Sequence, residues 1–164
     1  MDYTGGSMVR GHVIASNHAR GGTGNEYAKL TFHYINTVPL HKYSNHPEWY
    51  FKTEKPLIDW AIKSCKGDLY IVVGVIASEN TYYGKKGISN KQDDKDHRIN
   101  VPEFMWAVAC CMGKDDKKIS RMYYGNNQPK STGGEAIETD RGKVKEFLNK
   151  HKIVAFPKYS QCQS

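Results

Sequence analysis

Apolar runs separated by polar and glycine-rich stretches predict the elements of this chain. The run LYIVVGVIA, within residues 68–77, has no charged interruption, which predicts a buried central strand. FMWAVACCM (104–112) predicts a second buried strand, and ISRMYYGNN (119–127) predicts a third after the DDKK turn. None of these runs is long enough to cross a bilayer as a helix, so no membrane partner is predicted.

Apolar residues recur at helical spacing in two other segments. Between Glu54 and Cys65 they fall three or four residues apart, and Pro56 is tolerated in the first turn. A second helix is predicted near the end of the chain, capped by Thr139 or Asp140. Its apolar face consists of Val144, Phe147 and Leu148.

The remaining segments have weaker signals. Residues 1–30 are rich in glycine and are predicted as loop, and residues 80–98 as a charged loop or hairpin. Residues 28–36 alternate, which predicts a strand with Leu30, Phe32 and Tyr34 on one face. Residues 37–49 contain Pro39 and Pro47 and are predicted to be irregular. The outline is one domain that mixes helices and strands, over residues 1–164.

The charge balance points to a polyanion as partner. The net charge is +7, and a basic cluster occurs near the end of the chain. A basic surface favours nucleic acid or an acidic membrane surface. The competing interpretation is a basic domain without such a ligand. The cluster consists of Arg141, Lys143, Lys145, Lys150 and Lys152.

The four cysteines predict two disulfides. Cys110 and Cys111 are neighbours in a predicted strand, so their side chains point to opposite faces and each needs a different partner. Cys65 and Cys162 are the only candidates, and the sequence leaves open which pairs with which. Disulfides favour an oxidising compartment, hence a secreted or extracellular protein. Free buried thiols in a cytosolic protein are the alternative.

Four residues near the start of the chain could carry phosphodiester chemistry. His12 could act as a base near neutral pH, and Arg10 could bind a phosphate with its guanidinium. Asn45 offers a hard oxygen to a hydrated Mg²⁺, and Asn36 comes shortly before it. Each of these residues alone is more often an ordinary loop or turn residue.

As a set, these residues resemble the motifs of the DNA/RNA non-specific endonuclease family. That family has Asp-Arg-Gly-His, then an asparagine near a proline, then a metal-binding asparagine nine residues later, a tryptophan and a helix. The corresponding residues here are Arg10, Gly11, His12, Asn36, Pro39, Asn45 and Trp49. The downstream run VPEFMWAVACC is similar to the form in endonuclease domain-containing 1 proteins.

The resemblance implies an α+β fold of the ββα-metal type, with a mostly antiparallel central sheet flanked by helices. It implies His12 as general base, Arg10 beside the phosphate, and Asn36 orienting His12 or the substrate. It also implies Asn45 as ligand of Mg²⁺ or Mn²⁺, and DNA and RNA as substrates.

The chain departs from the family pattern at four points. Val9 replaces the aspartate, and Leu40 stands where glutamine is common. Strict spacing places Thr53 at the position of an acid, which Glu54 matches with a shift of one residue. Leu57 replaces an arginine, for which Lys52 and Lys55 are the nearby substitutes as phosphate-binding groups.

These departures keep a second hypothesis open, a nuclease-derived module that binds nucleic acid or a protein without cutting. A zinc protein is a weaker third hypothesis, because His41 and His46 have no partners at ligand spacing.

Overall fold

The computed structural model describes residues 7–19, 26–84, 87–89, 99–129, 137–159 and 162. Its main sheet has four strands in the order β4-β3-β5-β6, and each neighbouring pair is antiparallel. The predicted buried runs form its three long strands. The strands are β3 (Cys65–Gly84), β4 (Gly87–Ser89), β5 (Ile99–Gly113) and β6 (Lys118–Asn126).

A separate antiparallel hairpin is formed by β1 (Met8–His12) and β2 (Thr37–His41). Helical turns follow β2 directly: a π-helical segment, Ser44–Glu54, runs into helix α2, Lys55–Ser64. His46 has extended backbone inside the first of these, as expected for a residue that precedes proline. The order strand, strand, helix is the one that the resemblance implies.

The two predicted helices are confirmed. Helix α2 ends before Cys65, and Pro56 lies in its first turn. Helix α3 (Arg141–Lys150) is capped by Asp140, whose carboxylate accepts a hydrogen bond from the backbone N–H of Lys143 at 3.0 Å. No helix in the described part of the chain is both long and apolar enough to span a membrane.

Three predictions for the first fifty residues are wrong. Residues 28–36 are not a strand: helix α1 (Glu26–Leu30), a turn and a 3₁₀ turn (Tyr34–Asn36) occupy that region. The described residues of 1–30 include β1 and α1 rather than loop alone. Residues 37–49 are largely regular, because Pro39 lies in a strand of a two-stranded sheet, where a missing N–H is tolerated, and the predicted irregularity is present only at His46 beside Pro47.

The charged segment 80–98 is partly described. Tyr82 and Tyr83 pair with Ser89 and Ile88, which confirms a hairpin at its start. Residues 85, 86 and 90–98 lie outside the described residues.

Strand β5 separates two apolar layers because its side chains alternate between the faces of the sheet. On one face Met105, Ala107 and Ala109 pack against β2, the π-helical segment and α2, with Leu40, Trp49 and Leu57 in that core. On the other face Trp106 and Val108 pack against α3. The predicted apolar face of α3, Val144, Phe147 and Leu148, is buried there.

The same alternation separates the two disulfides. Cys111 pairs with Cys65 at the end of α2, and Cys110 pairs with Cys162. The prediction that the adjacent cysteines take different partners is confirmed, and the structure supplies the pairing that the sequence left open. The disulfides close loops of 46 and 52 residues, and cross-links of this length typically stabilise by about 3–4 kcal/mol each.

Candidate active site

The tripeptide Arg10-Gly11-His12 lies at the end of β1. Gly11 is buried, whereas Arg10 is exposed and His12 is half-buried. Because side chains alternate along a strand, Arg10 and His12 share one face of β1, opposite to the face on which Gly11 meets Leu40. This strand therefore presents a cation and an imidazole side by side.

Gly11 has a packing reason to be glycine. A Cβ at this position would lie 2.0 Å from Leu40 Cδ1 and 2.4 Å from Leu40 Cγ. Leu40 is fully buried in the core between the hairpin and the main sheet, so it has little freedom to move. The departure at Leu40 is thus matched by Gly11, which is its diagonal neighbour across the hairpin and leaves room for its side chain.

Gly11→Ala should therefore destabilise the fold by about 1–3 kcal/mol through overpacking. Thermal and urea unfolding would measure the loss. In a Leu40→Ala background the additional Gly11→Ala change should cost little, since the clashing side chain is gone. Equal losses in both backgrounds would contradict this account.

His12 is held in an environment that keeps it neutral. Burial lowers its pKa below the ordinary 6.5, and the charge of Arg10 lowers it further. Phe32 packs edge-on against the ring, with centroids 4.8 Å apart. Nε2 is buried and has no hydrogen-bond partner among the described residues. A neutral imidazole at pH 7 can accept a proton, which is the first requirement of a general base.

Asn36 is used for positioning. Its Oδ1 accepts a hydrogen bond from the Ile14 N–H at 3.0 Å. Its Nδ2 donates to the carbonyl oxygens of Ile14 at 2.9 Å and Thr31 at 2.8 Å. Both amide protons are therefore engaged, and the side chain connects the exit of β1 to the segment before β2. Asn36 therefore fixes the backbone at Ile14, two residues after His12.

Arg10 is exposed, and its guanidinium lies 5.7 Å from the centre of the Tyr34 ring. A guanidinium over an aromatic face is partly ordered by the cation–π attraction. No ion pair of Arg10 is found among the described residues, so its donors remain available to a phosphate.

Asn45 lies in the first turn of the π-helical segment and is half-buried. We find no hydrogen bond from its side chain to the described part of the chain. Its neighbour Ser44 is fixed: the hydroxyl donates to the Gln128 carbonyl at 2.6 Å and accepts from the Gln128 N–H at 2.8 Å. The backbone at Asn45 is thus anchored to the segment after β6, while its amide is left open.

Asn127 supports the same region and was missed by the sequence analysis. It is buried, and its Oδ1 accepts from the His41 N–H at 2.8 Å. Its Nδ2 donates to the carbonyl oxygens of Pro39 and Pro102. One side chain therefore joins β2 to β5. The run YYGNNQP contains this residue, but an asparagine after a strand ordinarily indicates only a turn.

The two lysines proposed as phosphate-binding groups have acidic partners one helical turn away. Lys52 forms an ion pair with Glu48, and Lys55 with Asp59 at 2.6 Å. Such exposed pairs contribute little free energy and can exchange for a stronger anion. Neither lysine has a described contact with His12 or Arg10.

Thr53 and Glu54 are the two candidates for the position of the acid, and they differ in burial and chemistry. Thr53 is fully buried and faces the core, with no described hydrogen-bond partner for its hydroxyl. Glu54 is half-buried, and burial raises the pKa of its carboxyl from 4.5 to about 7. Only Glu54 can therefore supply an acid at this end of the π-helical segment.

The raised pKa of Glu54 predicts a pH-dependent stability. The cost of burying its charge is absent below pH 4.5, grows as the pH rises to about 7, and is complete above that. In EDTA, Glu54→Gln should therefore raise the free energy of unfolding by about 2 kcal/mol above pH 7 and by little below pH 4.5. Chemical unfolding at both pH values measures this. The exposed Glu146→Gln serves as control, and a pH-independent gain would contradict the assignment.

His18 is a second residue that the sequence analysis missed. Burial lowers its pKa, and the nearby backbone carbonyl of Glu54 partly opposes the shift. Both ring nitrogens are buried without a well-formed hydrogen bond to described residues. His18 therefore connects the loop after β1 to the end of the π-helical segment. A lone histidine in a loop gives no sequence signal for this.

The sequence profile of the DNA/RNA non-specific endonuclease family matches residues 1–159. The chain belongs to this family. Among solved structures it is similar to a chain in the EndoG/EndoGI complex, described as showing the mechanism of EndoG inhibition, with a TM-score of 0.57 and 20% identity. That match covers 77% of this chain and 50% of the other, so this chain spans about half the length of its structural relative. A search of curated protein sequences gave no significant match.

The family membership and the structural likeness confirm the predicted α+β fold. In this endonuclease-family chain, the family's aspartate position is taken by Val9, which lies opposite Leu40 in the hairpin. A carboxylate at this position is thus replaced by a side chain suited to a half-buried strand. With valine at this position, Arg10 and His12 keep their regular register with Pro39 and Thr37 of β2.

The oxygen ligands available at this endonuclease-family site suit a metal ion that keeps most of its waters better than one coordinated fully by protein side chains. Within the described ranges, no group of three or more His, Cys, Asp or Glu side chains could hold a metal. Mg²⁺ needs only one or two protein oxygens because it retains most of its waters. The open amide of Asn45 supplies one neutral oxygen, and the carboxyl of Glu54 is a second candidate.

The basic cluster near the end of the chain lies away from this site. Its residues belong to α3 or follow it, and α3 packs on the face of the main sheet opposite to β2 and the π-helical segment. The positive charge at the candidate site therefore depends on Arg10 and the lysines of the helical turns.

Proposed function

We propose that this chain is a divalent-metal-dependent endonuclease that hydrolyses phosphodiester bonds in DNA and RNA with little sequence preference. The observation that carries the proposal is the paired presentation of Arg10 and His12 on one face of β1, with His12 kept neutral by burial. Family membership supports nuclease chemistry at these residues.

In this proposal His12 accepts a proton from the attacking water. Because Nε2 is buried, Nδ1 is the nitrogen that we expect to take the proton. The oxygen of that water forms a new bond to phosphorus, one ester P–O bond breaks to give a phosphomonoester, and the departing oxygen takes a proton from solvent water to become a hydroxyl. Arg10 binds the phosphate and offsets the negative charge that builds up on it. Asn36 keeps the loop after His12 in place through its bonds to Ile14 and Thr31.

Asn45, and Glu54 through its carboxyl, would hold Mg²⁺ or Mn²⁺ in this site. The bound ion would neutralise charge on the phosphate and on the departing oxygen. Asn45 contributes its amide oxygen from a backbone that Ser44 and Gln128 anchor. The π-helical turns contain more residues per turn than an α-helix, which supports Glu54, displaced by one position, as the acid of this site.

A binding module without turnover is the second candidate. The observation in its favour is Val9, which leaves the catalytic strand without the acid found in the family. The two disulfides favour a secreted or extracellular setting for either function.

Digestion of supercoiled plasmid and of RNA by the purified chain tests the proposal. We expect cleavage of both with Mg²⁺ or Mn²⁺ and none with excess EDTA. Nucleic-acid binding without cleavage under any metal would favour the module instead. Cleavage that EDTA does not affect would overturn the metal-dependent mechanism.

A further inference from the structure

Two aromatic rings stand in solvent beside the candidate active site. Phe32 is 63% exposed and Tyr34 is 66% exposed, and we call these two residues the aromatic pair. Leu30 and Ile35, in the same short segment, are exposed as well. Several large apolar side chains exposed within one short segment of a folded domain often mark a binding site.

Each ring of the aromatic pair contacts a residue of the candidate site. The Phe32 ring lies edge-on to His12, with centroids 4.8 Å apart. The Tyr34 ring lies under the guanidinium of Arg10, 5.7 Å from its central carbon. The apolar surface is therefore continuous with the cation and the imidazole of β1.

The backbone that carries the aromatic pair is held in place by hydrogen bonds. The Thr31 hydroxyl donates to the Ala28 carbonyl at 2.7 Å, and Asn36 Nδ2 donates to the Thr31 carbonyl. The Thr37 hydroxyl donates to the Tyr34 carbonyl at 3.0 Å. The rings are thus presented from an ordered segment, which lowers the entropy cost of binding to them.

We propose that the aromatic pair stacks against unpaired bases, so that this site binds single-stranded nucleic acid more tightly than duplex of the same length. Aromatic faces accept any base, which suits a site without sequence preference. Bases inside a duplex are already stacked and cannot reach such rings. The adjoining Arg10 and the net charge of +7 favour a polyanion over an apolar protein surface. The inference rests on the proposed function for its link to cleavage.

Fluorescence anisotropy in EDTA tests the stacking directly. The probes are a labelled oligothymidylate, an abasic strand of the same length, and a duplex of the same length. Stacking predicts that the strand with bases binds at least about 10-fold more tightly than the abasic strand, which carries the same phosphates. The double variant Phe32→Leu/Tyr34→Leu should lose this preference and keep its affinity for the abasic strand.

Tyr159→Leu is the matched control. Tyr159 is also exposed and also packs against a cation, since Lys118 Nζ lies 4.0 Å from its ring centre. It lines a cavity beside Cys110 and Cys162, away from β1. This variant should bind all three probes as the unmodified chain does.

The outcomes separate this inference from the proposed function. Binding in EDTA does not depend on turnover, and plasmid cleavage with Mg²⁺ is measured independently on the unmodified chain. Equal affinity for the base-bearing and abasic strands would overturn the stacking and leave the nuclease proposal standing. Self-association that the double variant abolishes, measured by sedimentation, would also overturn it, because the aromatic pair would then be an interface between copies.

Discussion

His12→Ala is expected to lower the rate of plasmid cleavage by about 10²–10⁴-fold, the usual contribution of a general base. The fold should survive, because His12 is half-buried and its Nε2 has no described partner to lose. The main packing interaction that this variant loses is the edge-on contact between the His12 and Phe32 rings. Cleavage rates per mole of folded protein, with folding checked by circular dichroism and thermal unfolding, measure the effect.

His41→Ala is the matched control for this prediction. Burial also lowers the pKa of His41, but it lies at the opposite end of the hairpin, in register with Met8. Its removal should leave cleavage by the folded fraction close to the original rate. Cleavage retained by His12→Ala, or lost equally in both variants, would refute the assignment of His12 as base.

The pH profile gives an independent check on the same residue. A base must be unprotonated to act, and the pKa of His12 lies below 6.5 because of burial and the charge of Arg10. At saturating Mg²⁺, which keeps the Glu54 carboxyl ionised, the rate should therefore stay level as the pH falls through 7 and decline only below 6.5. Arg10→Gln should move this decline to higher pH, since it removes a positive charge next to the imidazole.

The core of the fold could be predicted because buried strands consist of runs of apolar residues that are visible in the sequence. FMWAVACCM is apolar because both faces of β5 are buried, and LYIVVGVIA is apolar because half-buried side chains of β3 pack against both cores. The alternation in β5 also predicted that Cys110 and Cys111 would take different partners. The pairing itself depends on where α2 and the end of the chain lie, which no local pattern contains.

The region before β2 could not be predicted because its apolar residues are exposed. The alternation of Leu30, Phe32 and Tyr34 has the period of a half-buried strand, yet all three side chains face solvent. Local hydrogen bonds of Thr31 and Asn36 fix the turns instead. Where apolar side chains are exposed to solvent, the hydrophobic pattern no longer predicts secondary structure, because it does not reflect a buried face.

The candidate site was predicted only as far as its motif residues. Arg10, His12 and Asn45 come from the family resemblance, and the structure adds what holds them. Asn127 joins β2 to β5, and His18 links the loop after β1 to Glu54. These are long-range contacts of ordinary residue types, so spacing along the chain carries no signal for them.

Asn45→Ala should abolish metal-dependent cleavage, with a loss of at least about 10³-fold, because the ion's charge contributes several kcal/mol to the transition state. The unfolding midpoint should change little, since the side chain has no hydrogen bond to the described part of the chain. Mn²⁺ binding, followed by electron paramagnetic resonance, gives a readout apart from activity. Asn149→Ala, an exposed change on α3, is the control and should alter neither.

Asn45→Asp distinguishes a ligand from a residue that only shapes the turn. A carboxylate supplies the same oxygen with a negative charge, so this variant should bind Mn²⁺ at least as well as the unmodified chain and retain part of its cleavage. If both variants bind Mn²⁺ normally, Asn45 is not a ligand. The acid at Glu54 would then have to hold the ion, and Glu54→Gln would be the variant that loses it. The comparison of the two positions thus decides whether Asn45 and Glu54 both contribute ligands to the metal or only one of them does.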